Sequence, residues 1–141
     1  MLDEKGWARE WGMVPLRLVV GAVFFMHGWQ KLFDFGLSGV SDMLQKLGFF
    51  LPTMFAAILI VVELAGAVSV LLGAFTRWAG LLLAIEMCVA IPVARWKGGF
   101  FTPYGYEFEL VLLGASLTLF LLGAGGVSFD RWRAKGGAAA G

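Results

Sequence analysis

Residues 16–35, LRLVVGAVFFMHGWQKLFDF, form an apolar run of membrane length that nonetheless carries Arg17, His27, Gln30 and Lys31. Polar groups at such positions are costly in lipid, so they must face protein, water or a ligand. Thirteen residues separate Arg17 from Lys31, whereas crossing a bilayer core of ~30 Å takes about twenty at 1.5 Å each. One or both cations therefore lies at or inside the membrane boundary. Snorkelling of the long side chain accounts for Arg17 and, taken alone, for Lys31.

The rest of the chain supports a membrane setting. Hydrophobic residues make up 60% of the 141 and charged residues 15%, with mean hydropathy +0.82; soluble domains sit near half apolar and about a quarter charged. The length suits one small domain. A net charge of +1 offers no clustered basic face for nucleic acid. Cys88 is the sole cysteine, which excludes an intramolecular disulfide, a CxxC pair and a cysteine-held iron–sulfur cluster. One histidine excludes a bis-histidine haem within the chain and leaves a His–Met pair through His27 as a haem option; no metal or covalent cofactor is expected. The opening MLDEKGWARE mixes acids with bases, and no small-x-small cleavage pattern follows the first apolar run. The first span is therefore expected to be retained.

The expected fold is all-α: a four-transmembrane-helix bundle with spans at about 15–33, 52–75, 78–96 and 105–123 and a short interfacial helix between spans one and two. In that short helix Ser38 caps the start, Val40, Met43, Leu44 and Leu47 share a face, and Gly48 ends it. Thr76-Arg77-Trp78 reads as a tight turn, making spans two and three antiparallel neighbours. Gly80, Ala84 and Cys88 form a small-residue stripe, and Pro92 kinks the end of span three. Residues 1–133 make one domain, and 134–141 a disordered tail. Four spans place both termini on one side. Of the 11 basic residues, seven (Lys5, Arg9, Arg17, Arg77, Arg131, Arg133, Lys135) fall on that side and four on the other, which favours N-in, C-in.

Depth then brings polar groups together. At 1.5 Å per residue, His27 and Lys31 lie roughly 18 and 24 Å from the start of span one, and Glu63 and Glu86 roughly mid-span in spans two and three. Glu107 and Glu109 enter within the first turns of span four. His27, Lys31, Glu63, Glu86 and Glu107 thus converge in the outer half of the bundle, with His27 and Lys31 on one face as an i, i+4 pair. A bare set of ion pairs fixing helix register is one outcome. The other is a proton-active or ligand-binding cavity, with Phe24, Phe25, Trp29, Phe100 and Phe101 as walls for a flat ring. Arg17 and Arg77 read as boundary anchors.

The segments LRLVVGAVFFMHGWQKLF (16–33), GGFFTPYGYEFEL (98–110) and LLGAGGVSFD (121–130), with Glu63 in the second span, resemble the DoxX family of small four-helix membrane proteins. Where that family commonly has proline after its GYE-aromatic element, this chain has Glu109. The resemblance implies association with membrane oxidoreductase systems, including thiosulfate:quinone oxidoreduction and oxidative-stress or thiol homeostasis. Carried over by motif, His27, Lys31, Glu63 and Glu107 are the expected catalytic residues. His27, Gln30, Lys31, Trp29 and Glu86 are expected to bind a quinone. The expected partners are the lipid bilayer and either other membrane or redox subunits or further copies of the chain, at a bacterial inner membrane. A non-catalytic scaffold subunit and a small proton-coupled transporter are the alternatives, and catalysis by the chain itself is left open.

Overall fold

The computed structural model describes residues 4–138, which contain helices and no strand. In order these are α1 (Glu4–Trp11), α2 (Met13–Trp29), α3 (Gly36–Lys46), α4 (Pro52–Leu72), α5 (Thr76–Ala90), α6 (Glu107–Leu122) and α7 (Phe129–Ala138). Three helical stretches are long and apolar enough to cross a bilayer: 6–46, 52–72 and 76–98. Helix α6 has 16 residues, about 24 Å of rise.

The first stretch does not stop at residue 33. A π-helical turn, Gln30–Phe35, carries α2 onward, and the chain bends at Gly36 (φ 69°) straight into α3. Between the first two expected spans the chain is helical through 46, and only 47–51 links α3 to α4. Helix α3 buries Val40, Ser41 and Leu44 against Ala56 and Ile60 of α4, and Ser41 hydrogen-bonds Thr53 at 2.9 Å. Met43 and Leu47, expected on the same face, stay exposed.

Helix α4 closes at Gly73 (φ 69°), with Ala74 N–H donating to the Ser69 carbonyl; glycine adopts this left-handed conformation without a Cβ penalty. The link to α5 is therefore 73–75, and Thr76-Arg77-Trp78 is the first turn of α5. Pro92 sits in a second π-helical turn, Ile91–Arg95, which absorbs its missing N–H in a widened turn. Helix α7 runs to Ala138, so the tail expected to be disordered from 134 is helical over its first residues; 1–3 and 139–141 lie outside the described residues.

Helices α2, α4, α5 and α6 share one apolar core, with Val20 and Phe24 packed among Ala67, Val70, Leu83, Met87, Leu112 and Leu119. Neighbours pack closely in the order α2–α4–α5–α6, and the α2–α6 contact that closes the ring is thinner than those three. A Cβ on Gly80 would stand 2.8 Å from Phe120 N and 2.9 Å from Ser116 O. The α5 and α6 backbones are thus in direct contact, an approach only glycine allows. Ala84 is buried beside Gly80, but Cys88 is exposed: eight residues from Gly80 turn the helix roughly 80° past two full turns.

Arg17 is no snorkelling anchor. It is 5% exposed and donates to four backbone carbonyls: Val70 (2.9 Å) and Leu71 (2.8 Å) at the end of α4, and Ala124 (3.1 Å) and Val127 (2.6 Å) beyond α6. Asp130 completes this end, accepting from Phe75 N–H and Thr76 N–H at 2.8 and 3.2 Å.

Candidate functional site

At the opposite end, the last turns of α2 and α5 with the π-helical turns that follow them, the first halves of α4 and α6, and Met43 and Leu44 of α3 with Leu47 just after it surround a cavity of about 800 Å³. Gly28 shapes one wall. A Cβ there would lie 2.9 Å from Leu64 Cγ and 3.1 Å from Glu63 Cβ, so α2 and α4 close tightly just before Lys31. Lys31 Nζ then donates to both Glu63 oxygens at 2.6 and 2.8 Å. The Glu63 side chain is only 3% exposed, so this is a desolvated pair whose ions require each other.

Glu86 on α5 lies close enough to the same pair to interact with both Glu63 and Lys31, and its Oε2 is buried with no hydrogen-bond partner. Across the cavity, Arg95 Nε donates to Glu109 Oε1 at 2.7 Å, and Glu109 Oε2 is likewise buried and unpartnered. Three acidic side chains (Glu63, Glu86, Glu109) thus share the lining with two basic ones (Lys31, Arg95). His27 and Gln30 stand at the rim. His27 Nδ1 donates to the Val23 carbonyl at 2.8 Å, which leaves Nε2 as the nitrogen available to a ligand. Its ring faces Phe108 of α6 at 6.0 Å.

The expected set is thus gathered in part. His27, Gln30, Lys31, Glu63 and Glu86 line one cavity. Trp29 does not; it is 45% exposed and packs on Phe33 with centroids 4.2 Å apart. Nor does Glu107, whose Oε1 accepts from the Thr102 N–H (2.7 Å) and hydroxyl (2.5 Å) and so folds the loop before α6. Phe24 lines the cavity, whereas Phe25, Phe100 and Phe101 do not; Phe35, Phe49, Phe55 and Phe108 are its other aromatic walls.

Arg95 and Glu109 are the residues sequence reasoning missed. Positions 107 and 109 lie about 200° apart on a helix, so one of the two glutamates had to face away from the bundle. The family motif pointed to Glu107, whereas Glu109 is the one that lines the cavity. The signal lay in the departure itself, since a charge at 109 within a span calls for a partner. Among the described residues, no group of three His, Cys, Asp or Glu side chains could hold a metal ion.

Apolar helices of membrane length around a charged, partly aromatic interior define a helical membrane protein. The DoxX family profile matches residues 12–96, well over half of the chain, and the protein belongs to the DoxX family. It is 33% identical over 127 residues to the Bacillus subtilis (strain 168) protein named "Putative oxidoreductase CatD", covering 90% of each chain. It is 34% identical over 134 residues to an uncharacterized Haemophilus influenzae protein, covering 86% of this chain and 90% of that one. It is 28% identical over 134 residues to "Inner membrane protein YphA" of Escherichia coli (strain K12), covering 91% and 94%. No solved structure matches the chain.

Proposed function

We propose that this protein is a subunit of a membrane oxidoreductase system that binds a quinone in the cavity between α2, α4, α5 and α6. The observation that carries this reading is the Lys31–Glu63–Glu86 group inside an aromatic-walled cavity. About 800 Å³ falls in the range of small-molecule sites, which pair apolar walls with a few convergent polar groups. The name of the Bacillus subtilis relative, an oxidoreductase, is consistent with it. When bound, a quinone supplies two-electron, two-proton redox chemistry; a partner subunit supplies or removes the electrons.

The chain's own residues do the rest. His27 Nε2 and Lys31 Nζ orient a ring carbonyl from one side. The unpartnered Glu86 Oε2 can hold a proton within the group, and Glu63 fixes Lys31 in place, as positioned acid–base groups must be. Arg95 and Glu109 form a second polar station on the far wall. Helix α6 acts as a fourth, short span, α3 lies at the membrane interface, and both termini face the cytoplasm across an inner membrane. Other redox subunits or further copies of the chain complete the assembly.

The test is a ubiquinone or menaquinone titration of detergent-purified protein read by thermal unfolding. Ligand at a hundred times Kd stabilises by about 2.7 kcal/mol, so the midpoint should rise in the wild type and much less in His27→Ala and Glu63→Gln. Equal, flat responses from all three would sink the quinone reading. Tolerance of both substitutions alongside co-purification with a larger partner would instead support a scaffold.

A further inference from the structure

The end of the bundle held by Arg17 carries a second pocket, of about 740 Å³, on the outer side of the glycine loop that follows α6. Its lining includes Arg77 and Trp78 from the first turn of α5, Phe75 before them, and Arg131 and Arg133 from α7. Two acids, Glu10 and Asp130, share the lining, and each already has a partner. Asp130 accepts from the first amides of α5, and Glu10 pairs with Arg131 at 3.6 Å. Arg77 and Arg133 have no ion-pair partner among the described residues.

Both guanidiniums are held in place without being neutralised. A Cβ on Gly123 would sit 3.2 Å from Arg77 Nε, so the arginine side chain lies flat against the loop at a position where glycine leaves room. Arg133 stacks on the Phe75 ring with its central carbon 5.0 Å from the centroid, a cation–π contact that leaves its N–H edge exposed. Trp78, 68% exposed, stands beside them, as a tryptophan at a membrane–water boundary does.

We infer that this pocket is a binding site for an anionic phospholipid, with the headgroup phosphodiester held between Arg77 and Arg133 and the acyl chains descending along Trp78 and α5. Guanidiniums match phosphate oxygens in a two-pronged geometry, and basic pockets at the ends of membrane helices take lipid headgroups of this charge. The site is separate from the quinone cavity and does not depend on it.

Native mass spectrometry of the full protein in detergent, with phosphatidylglycerol and phosphatidylcholine titrated separately, tests the assignment. The wild type should retain phosphatidylglycerol in preference. Arg77→Gln and Arg133→Gln should each weaken retention about fivefold, and the pair more than tenfold, from the worth of one basic residue near an anionic surface. Arg77→Lys should keep only part of it, since an ammonium supplies the charge without the fork, and unfolding midpoints within a few degrees of wild type show that the variants fold. Equal retention of the two lipids, or phosphatidylglycerol retention unchanged in the double variant, overturns the proposal. So does a response to inorganic phosphate or glycerol phosphate as strong as to the lipid, which would make this a soluble-phosphate site.

Discussion

Arg17 commits four of its five N–H donors to carbonyls of two separate segments, so one side chain ties the end of α4 to the chain after α6. Arg17→Met should destabilise by at least about 3 kcal/mol, because each buried carbonyl left without a donor costs on the order of 1–3 kcal/mol. Arg17→Lys should recover little, since an ammonium cannot span the four acceptors. Thermal unfolding in micelles measures both, and a loss under about 1 kcal/mol for Met would mean that water replaces the guanidinium. At the other end, Lys31→Met or Glu63→Gln alone should each cost about 3–5 kcal/mol by stranding charge in a dry site. The double variant should cost clearly less than the sum, and a double-mutant cycle reads the coupling. Lys31, Glu63 and Glu86 were legible in the sequence because charge in the middle of an apolar run has few places to go. Arg17 was not: its position near a helix start mimics an anchor, and its partners lie up to 110 residues away. Glu107 and Glu109 differ by a rotation that no single-residue pattern reveals.

Among the elements, the α5–α6 contact depends on an absent side chain. Gly80→Val should force the two backbones apart and destabilise by about 1–3 kcal/mol or more. Leu44→Ala should loosen α3 from α4 at a cost of about 2–5 kcal/mol, while Leu82→Ala, on an exposed position, should stay within about 0.5 kcal/mol. Chemical unfolding of the three variants in one detergent checks the order. The apolar runs revealed where the long helices lie, since length and hydropathy dominate there, but not that the first runs on without a break from 6 to 46. They did not reveal the two π-helical turns, because one extra residue in a turn leaves no mark on composition. Those turns matter for the site: Lys31 and Arg95, the two cations of the cavity, each sit in one. The end of α7 from residue 134 reads as tail in the sequence because its polar, glycine-bearing residues have no apolar stripe to reveal a helix.

For the molecule as a whole, the arrangement divides into a tied end and an open end. If both termini face the cytoplasm, a Cys88→Ser background carrying Ser38→Cys should react with a membrane-impermeant thiol reagent on intact cells, and one carrying Lys135→Cys should not. The reverse pattern would invert the topology. The thin contact between α2 and α6 has a further consequence. His27 and Phe108, which meet across it, are both exposed on the flank of the bundle while also lining the cavity. A guest that slips in through that seam comes sideways, out of the lipid, and meets the protein at the concentration it has already reached by partitioning. Each added methylene raises that concentration about fourfold, at ~0.8 kcal/mol per CH₂. A series of longer-tailed guests would then look progressively tighter in aqueous units while the protein grips each no harder. Expressed as mole fraction in the bilayer, their affinities should collapse onto one value.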